Sequence, residues 1–425
     1  MDKIRLLHFA DLHVGMENYG RLDSATGVNE RVLDFLHRFD ELIDYGLDHE
    51  VDLVIFAGDA FKTRNPNPTY QRAFARRVKR LADAGVPTVL LVGNHDLPTM
   101  AQQANSIDIF RTLDVPNVIV GWEEKVHLIE TRHGPVQVAT VPYPVRQRLL
   151  NQKEYRGLSI RELDDRLQAV VAEVIQAMAE QLDPDIPSVL AAHLSVSGAL
   201  FGSERSVMLG RDAVVLKSVL ADPAWDYVAL GHIHMHQSLN GDAHPPVVYS
   251  GSPERIDFGE EGQPKGFCWV ELARGKTARG WTATWEFVEV NARPFVTVRA
   301  DVRDVRADMR ADADPLLALR QEIAGHDLTD AVVRLILRLR ADQETLLRDR
   351  DIRALLSDAY FIGGITREVE RAVRVRLGGL APEEMTDREL LVKYLEAKDT
   401  EAGRISTLLE HAEGVFAGET ERMSE

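Results

Sequence analysis

The sequence lacks the features that mark secreted, disulfide-stabilised or membrane-embedded proteins. It contains a single cysteine, Cys268, which excludes an intrachain disulfide and any zinc module built on several cysteines. Its apolar runs are far shorter than the roughly 20 residues that a membrane-spanning helix needs. The N-terminal residues show no apolar core followed by a cleavage site, so we expect a cytoplasmic protein.

Composition and charge indicate a globular protein and restrict its partners only weakly. The 425 residues are 45% hydrophobic, which is enough to form two or three packed units. The formal net charge of −17 disfavours a polyanionic partner such as nucleic acid. Basic residues nevertheless cluster at Lys62 and Arg64 and between Arg72 and Arg80, and the local field guides a phosphate backbone more than the total charge does.

Five short apolar runs are each followed directly by side chains that can bind metals. The runs have the length of buried strands and cover residues 4–9, 51–56, 86–92, 188–192 and 227–230. They are followed in turn by Asp11 and His13, by Asp59, by Asn94 and His95, by His193, and by His232 and His234. Because open α/β sheets carry their chemistry just beyond the carboxyl ends of the strands, we expect these side chains to meet in one cluster.

This cluster predicts a site for two divalent metal ions. Carboxylates and imidazoles without thiolates suit Mn²⁺, Fe²⁺, Zn²⁺ or Mg²⁺, and the number of imidazoles argues against Mg²⁺ or Ca²⁺ alone. The candidate ligands exceed what one ion needs, so we expect a carboxylate to bridge two ions about 3.5–4 Å apart. Such a pair binds phosphate oxygens and lowers the pKa of a coordinated water, which predicts a phosphoester hydrolase.

The pattern of strands and helices divides the chain into three parts. Strands alternate with amphipathic helical stretches at 29–48, 69–84 and 160–182, which predicts a layered α/β core over residues 1–290. Residues 291–378 are predicted to form a smaller α+β domain, with strands at 295–302 and 331–339 and helices at 315–323 and 343–356. Residues 379–425 carry an amphipathic helical pattern from 386 to 415.

One short segment imitates a nucleotide-binding loop. Gly275, Lys276 and Thr277 look like the end of a phosphate-binding loop, but Val270 stands where that motif needs its first glycine. We therefore predict a hairpin turn between strands at 266–272 and 280–290. An ATP-driven activity would then require a partner protein.

The ligand-bearing segments resemble the signature of the calcineurin-like metallophosphoesterases. The matching segments are Asp11-Leu12-His13, Gly58-Asp59, Gly93-Asn94-His95-Asp96, the single His193 and Gly231-His232-Ile233-His234. Within this family, residues 193–198 (HLSVSG), residues 248–253 (VYSGSP) and the two-part C-terminus are similar to those of the SbcD-type nuclease subunits. The resemblance implies a layered α/β/β/α sandwich with a smaller α+β capping domain and C-terminal helices.

The resemblance also implies a role for each residue of the signature. Asp11, His13 and His234 would bind one metal ion, Asn94, His193 and His232 would bind the other, and Asp59 would bridge them, with Mn²⁺ as the expected metal. His95 would stay outside the ligand set, where it could steady the transition state or protonate the leaving oxygen. Asp96 would orient an imidazole or, with equal weight, cap the following helix. Some relatives carry another histidine where this chain has Lys62.

The activity implied by the resemblance is exonuclease and hairpin or single-strand endonuclease cleavage in DNA end processing, repair, recombination and replication. The implied partners are DNA, an SbcC-type ATPase whose coiled coil would bind residues 379–425, and a second copy of the chain, through helices near 69–84 and 101–113. Lys62 and Arg64 are the candidate DNA contacts. A phosphodiesterase or phosphatase acting on small nucleotides or phosphoproteins is the alternative, while the intact ligand set disfavours an inactive scaffold.

Overall fold

The computed structural model describes residues 3–98, 103–146, 157–202, 212–277, 279–305, 314–370, 385–396, 398 and 400–422. The helices are α1 Glu30–Asp48, α2 Pro68–Asp83, α3 Asp108–Thr112, α4 Ile160–Ala179, α5 Lys217–Leu220, α6 Pro315–Ile323, α7 Asp349–Leu355, α8 Asp387–Glu396 and α9 Ala402–Arg422. No helix within these ranges is both long and apolar enough to cross a membrane.

Most strands belong to two six-stranded sheets. Those of the first sheet are β1 Ile4–Phe9, β2 Leu53–Phe56, β3 Thr88–Leu91, β4 Val118–Gly121, β13 Gly266–Arg274 and β14 Trp281–Glu289. The second sheet contains β5 Lys125–Thr131, β6 Gly134–Val141, β7 Ser188–His193, β10 Tyr227–Gly231, β11 Gln237–Ser238 and β12 Val247–Tyr249. The short strands β8 Ser195–Val196 and β9 Val214–Val215 pair with each other.

Parallel pairing brings the ends of the ligand-bearing strands to the same edges. The first sheet has the order β14-β13-β1-β2-β3-β4, and β1 to β4 run parallel. The second has the order β11-β12-β10-β7-β6-β5, in which β12, β10, β7 and β6 run parallel. The predicted hairpin turn at Gly275 is confirmed, because β13 and β14 pair antiparallel from Gly266 to Arg274.

Apolar side chains fill the spaces between four layers. Phe39 of α1 and Phe74 of α2 pack against the outer face of the first sheet. Ile175 of α4 packs against the outer face of the second sheet. Leu6 and Val189 belong to the core between the two sheets. This arrangement confirms the predicted α/β/β/α sandwich, with each sheet buried on both faces.

Local signals at the helix starts explain why the longer helices begin where they do. The side chain of Asn29 accepts a hydrogen bond from the backbone N–H of Arg31, which caps α1. Ser159 and Glu162 form a reciprocal capping box at the start of α4. These short polar side chains satisfy backbone donors that would otherwise lack a partner.

A three-stranded sheet forms a separate layer after the sandwich. Its strands β15 Phe295–Asp301, β16 Val332–Arg340 and β17 Phe361–Glu370 are parallel, with α6 and α7 in the two crossovers. We call residues 295–370 the three-stranded unit. Its own core contains Val298, Leu335 and Ile352. Arg293 beside it forms an ion pair with Asp34 of α1 at 2.6 Å.

One helical prediction was wrong in detail. The helix expected at 343–356 is reduced to α7, because the buried Gln343 bonds instead to the backbone oxygens of Val302 and Val305 at 2.7 and 2.8 Å. The helical pattern from 386 to 415 is confirmed, because it is covered by the two C-terminal helices α8 and α9.

Candidate metal centre

The side chains predicted to bind metal meet at one edge of the sandwich. Ligand atoms of Asp11, His13 and His234 lie within 4.8 Å of one another, and so do those of Asp59, His193 and His232. Asn94 joins the second group, since its Oδ1 lies 3.0 Å from Nε2 of His193 and 2.9 Å from Nδ1 of His232.

Asp59 connects the two groups. One of its oxygens lies 3.4 Å from Nε2 of His193 and 3.7 Å from Nε2 of His13. These two histidines belong to different groups, and the carboxylate between them is buried. This position is the one that a bridging ligand requires.

Four of these residues have backbone conformations that side chains rarely adopt. The φ angles are 55° at Asp11, 41° at His13, 62° at Asp59 and 101° at His232. Such conformations cost about 1–3 kcal/mol each and persist only where the surroundings enforce them. The residues after the strands therefore keep unfavourable backbone conformations that direct their side chains into the site.

Two glycines allow the ligand loops to approach each other closely. A Cβ at Gly58, where φ is 103°, would lie 2.4 Å from Nδ1 of His193. A Cβ at Gly93 would lie 2.2 Å from Oδ1 of Asp59. Both distances are far below van der Waals contact, so no larger residue fits without displacing a candidate ligand.

Three imidazoles are oriented by acceptors on their outer side. Nδ1 of His193 donates to the backbone oxygen of Ala57 at 2.7 Å. Nε2 of His232 donates to Asp212 at 2.7 Å, and Nδ1 of His234 donates to Glu260 at 2.9 Å. Because each outer nitrogen donates to a fixed acceptor, the other nitrogen of each ring faces the interior of the site and is the one that can bind a metal ion.

Nitrogen and oxygen atoms lie close together in the interior of the site. The Nε2 atoms of His13 and His234 lie 3.0 Å apart, and Nε2 of His193 and Nδ1 of His232 both face Oδ1 of Asn94. Asp59 favours a proton on His193 in the metal-free site, and a divalent ion would take the place of that proton. The donor set thus fits divalent ions that accept nitrogen and oxygen ligands.

The charges in the site follow from burial and mutual proximity. Burial alone would raise the pKa of Asp59, but His193, His95 and His13 outweigh it and hold this pKa well below its usual range. Burial alone would lower the pKa of His193, but Asp59 raises it to about 9. Burial raises the pKa of Asp11 and lowers that of His13. The bridging position therefore keeps its negative charge.

His95 lies beside the two groups and is held through its backbone and one ring nitrogen. Its Nδ1 donates to the backbone oxygen of Lys62 at 2.8 Å, and its backbone N–H donates to Asp59 at 2.8 Å. Its ring centroid is 4.8 Å from that of His13. A ligand atom of His95 lies within 4.8 Å of those of His13 and Asp59, so the ring borders the candidate metal ligands. Lys62 is half-buried and Arg64 is exposed on the adjoining loop.

Asp96 makes contacts that differ from those expected. Its carboxylate accepts hydrogen bonds from the backbone N–H groups of Asp59 at 2.9 Å and Gly93 at 3.1 Å, and from Ser106 Oγ at 3.0 Å. Burial and the charge of Asp59 raise the pKa of Asp96 to about 6. Asp96 therefore joins the two ligand loops through their backbones, instead of orienting the ring of His95 or capping a helix.

Sequence reasoning missed Asp212, which organises one half of the site. Its Oδ2 accepts hydrogen bonds from His232 at 2.7 Å and from Ser195 at 2.9 Å, and its Oδ1 accepts one from Tyr143. Burial alone would raise the pKa of Asp212, but these bonds lower it to about 2. Asp212 stands in no recognisable motif, so only the folded chain reveals this contact.

Sequence reasoning also missed Glu260, which contacts His234 in the other group of candidate ligands. One oxygen accepts from His234, and the other pairs with Lys265 Nζ at 2.8 Å. The side chains of Glu260 and Lys265 are fully buried. Burial opposes ionisation of Glu260, but Lys265 and His234 hold its pKa well below the usual range. The acceptor for His234 is therefore a permanently charged carboxylate.

The basic cluster between Arg72 and Arg80 is partly consumed by ion pairs within the sandwich. Arg80 contacts Asp40 at 3.1 Å and Asp44 at 2.5 Å, both on α1. Arg77 also pairs with Asp40. These contacts hold α2 against α1.

Comparisons with known proteins agree with this geometry. Residues 4–236 match the model of the calcineurin-like phosphoesterase family. The chain is 30% identical to the SbcD subunit of the nuclease SbcCD from Bacillus subtilis (strain 168), over 70% of this chain and 72% of that protein. It is 27% identical to the protein of the same name from Escherichia coli (strain K12), over 98% of this chain and 100% of that protein.

Two solved structures are also similar to parts of the chain. A dimetal phosphatase from Danio rerio matches with a TM-score of 0.37 and 11% identity, over 67% of this chain and 99% of that chain. An archaeal phosphodiesterase matches with a TM-score of 0.29 and 12% identity, over 67% of this chain and 100% of that chain. On the family match and the extended similarity to the two bacterial proteins, the chain belongs to the calcineurin-like phosphoesterase family and, within it, to the SbcD-type nuclease subunits.

Proposed function

We propose that this chain is a DNA nuclease that depends on two metal ions and hydrolyses phosphodiester bonds at DNA ends and hairpins, with Mn²⁺ as its metal. The observation that carries the proposal is the set of three imidazoles that outer acceptors orient, so that the inner nitrogen of each lies beside the buried carboxylate of Asp11 or Asp59. The names of the two bacterial relatives, both of which are nucleases, support a nucleic acid as the substrate. The cytoplasmic location stays a prediction from the sequence.

The metal ligands divide between the two groups. Asp11, His13 and His234 would hold one ion, Asn94, His193 and His232 would hold the other, and Asp59 would contact both. When bound, such a pair supplies Lewis-acid stabilisation of the phosphate and a water of lowered pKa. The protein itself supplies fixed ring orientations and a buried negative charge between the ions.

His95 is the group that we assign to proton transfer. Its Nδ1–H is bound to the backbone oxygen of Lys62, which fixes the ring while leaving Nε2 for the substrate. A histidine held in this way can donate a proton to the leaving oxygen, a contribution typically worth about 10²- to 10⁴-fold in rate.

Contacts to DNA are assigned to the loop after the bridging aspartate and to the three-stranded unit. Arg64 is exposed and lines a cavity of about 400 Å³ together with Gln71 and Asn105. Lys62 precedes it on the same loop. Residues 291–378 would form the capping domain that follows the DNA backbone, and residues 1–290 the nuclease domain.

A homodimer and an ATPase partner complete the proposal. Ile109 and Leu113 are 53% and 67% exposed and border an apolar cavity of about 280 Å³ between α2 and α3. These are the helices predicted to form the dimer interface. The C-terminal helices α8 and α9 expose Tyr394 and Leu408, as expected for residues 379–425 binding the coiled coil of an SbcC-type ATPase.

The decisive experiment measures Mn²⁺-dependent cleavage of a labelled linear duplex, a DNA hairpin and a small aryl phosphodiester. The native chain, His95→Ala and the surface control His326→Ala are compared. We expect the native and control proteins to cut both DNA substrates. His95→Ala should retain its bound Mn²⁺ but lose about 10²- to 10⁴-fold in cleavage rate.

Two outcomes would contradict the proposal in different ways. If only the small ester is hydrolysed, the metal centre stands, but DNA is the wrong substrate and the alternative small-molecule phosphodiesterase is favoured. If His95→Ala cuts DNA at the native rate, the proton-transfer role of His95 is wrong.

A further inference from the structure

A short segment of the sandwich contacts both the metal centre and the three-stranded unit. Residues 257–261 include a 3₁₀ turn at Phe258–Glu260, which Asp257 caps by accepting from the N–H of Gly259 at 2.7 Å. Neighbouring side chains of this segment point to different partners. We call residues 257–261 the linking segment.

On the side of the metal centre, the linking segment contacts His234. Glu260 accepts the Nδ1–H of His234 at 2.9 Å and the backbone N–H of Ile256 at 3.0 Å. It also pairs with the buried Lys265 at 2.8 Å. With both carboxylate oxygens engaged, a displacement of Glu260 would move or rotate the imidazole of His234.

On the other side, Glu261 holds strand β15. Its two oxygens accept from the backbone N–H of Thr297 at 2.6 Å and from the hydroxyl of Thr297 at 2.5 Å. The same hydroxyl accepts from Arg334 of β16 at 3.0 Å. Glu261 is therefore connected to two strands of the three-stranded unit.

Aromatic packing holds the linking segment against the same unit. The ring of Phe258 lies 5.0 Å from that of Phe295 and 5.4 Å from that of Tyr19, both at steep angles. The guanidinium of Arg334 lies 4.4 Å from the centre of the Phe258 ring. Arg334 thus contacts the segment through Phe258 and, by way of Thr297, through Glu261.

We propose that the linking segment couples the position of the three-stranded unit to metal binding at His234, with Glu260 as the positioning residue and Glu261 as the anchor to β15. This inference rests on the proposed dinuclear metal centre. One hydrogen-bonded path joins the unit to one metal ligand, whereas His232 in the other group is held by Asp212 within the sandwich. Movement of the unit should therefore affect the two ions unequally.

The experiment titrates the metal-free full chain with Mn²⁺ by calorimetry. Arg334→Gln and Glu261→Gln each weaken the connection from the unit without changing a metal ligand. Arg338→Gln is the matched control, because Arg338 lies on the same strand but its side chain forms an exposed ion pair with Glu368 at 2.7 Å, away from the linking segment. Asp212→Asn marks the binding event that involves His232.

We expect two binding events in the native chain. Arg334→Gln and Glu261→Gln should weaken one of them by roughly 2- to 30-fold, which is the range found for mutations that modulate coupling between sites. Asp212→Asn should weaken the other event, and Arg338→Gln should leave both unchanged. Melting temperatures show whether each variant is folded. If Arg334→Gln does not fold, the titration of Glu261→Gln tests the coupling by itself.

Native-like titrations for both coupling variants would overturn the inference. So would equal weakening of both events, or an equal effect of Arg338→Gln, because each indicates a general loss of stability. A native chain that binds fewer than two Mn²⁺ ions overturns the dinuclear centre and the coupling together. A chain that binds two ions but does not cut DNA overturns only the proposed substrate.

Discussion

Replacing Asp212 with asparagine tests whether the outer contacts of the imidazoles control metal binding. The substitution keeps the size of the side chain but removes its charge. The native carboxylate accepts hydrogen bonds from His232, Ser195 and Tyr143. Asparagine has one side-chain oxygen that can accept the hydrogen bond from His232, and this hydrogen bond is no longer charge-assisted. If its amide nitrogen faces His232 instead, the ring proton must move to Nδ1, the nitrogen that faces Asn94.

The magnitude follows from the type of hydrogen bond that is lost. Bonds to charged groups contribute about 1.5–3 kcal/mol, and neutral ones contribute about 0.5–1.5 kcal/mol. The difference of about 1–1.5 kcal/mol corresponds to roughly a tenfold weaker affinity for the ion held by His232. This lies at the lower limit of the 10- to 100-fold that loss of an outer partner typically costs.

The assay is calorimetric titration of the metal-free protein with Mn²⁺. Tyr143→Phe serves as the control, because it removes one bond to the oxygen of Asp212 that does not contact His232. We expect it to have a smaller effect than Asp212→Asn. If Asp212→Asn binds both ions as tightly as the native chain, or if Tyr143→Phe weakens binding as strongly, the reasoning from ring orientation is refuted.

Three further predictions concern the proposed dimer interface, a ligand loop and a buried histidine. Leu113→Glu places a charge on an apolar side chain that is 67% exposed, so light scattering should show the native chain as the proposed dimer and the variant as a monomer, and a dimeric variant would place the interface elsewhere. Gly93→Ala puts a Cβ 2.2 Å from Oδ1 of Asp59 and should reduce Mn²⁺ affinity at least about tenfold. Gly364→Ala is the control, because a Cβ there would have no neighbour within 4 Å. If both variants bind Mn²⁺ equally well in titrations, the loop at Gly93 adapts to the added methyl group. Burial lowers the pKa of His8 from 6.5 to about 3, so the unfolded chain binds a proton there that the folded chain does not. As the pH is lowered from 6.5, this group should therefore reduce the free energy of unfolding of the metal-free protein by up to about 1.4 kcal/mol per pH unit, as measured with denaturant. If His8→Asn shows the same dependence of stability on pH, the lowered pKa of His8 is contradicted.

Short-range patterns were sufficient to predict several elements. Strand β1 at Ile4–Phe9 and helix α6 at Pro315–Ile323 have the predicted bounds. In both cases the determining signals, an apolar run and an Asp-Pro start, lie within the element itself. The helix expected at 343–356 was wrong because Gln343 is held by backbone oxygens about forty residues earlier in the chain. Long-range hydrogen bonds of this kind override local helical preference.

The candidate metal ligands could also be found from the sequence, because strand-end position and residue chemistry are local properties. Their partners could not. Asp212 and Glu260 carry no signal that separates them from the other acidic residues. Asp96 contacts the backbone of Asp59, which is 37 residues away in the sequence, besides that of the nearby Gly93. The assignment of ligands to particular ions stays a prediction for the titrations to test.

The sequence by itself determined which chemical groups stand at the ends of the strands, since an apolar run followed by a carboxylate or imidazole depends only on the order of residues. The tertiary structure decided which nitrogen of each ring faces the interior, because the acceptors Ala57, Asp212 and Glu260 come from other parts of the chain. It also decided that residues 257–261 contact both His234 and the three-stranded unit. The orientation of each ring and the contacts between distant segments depend on distances that exist only once the chain has folded.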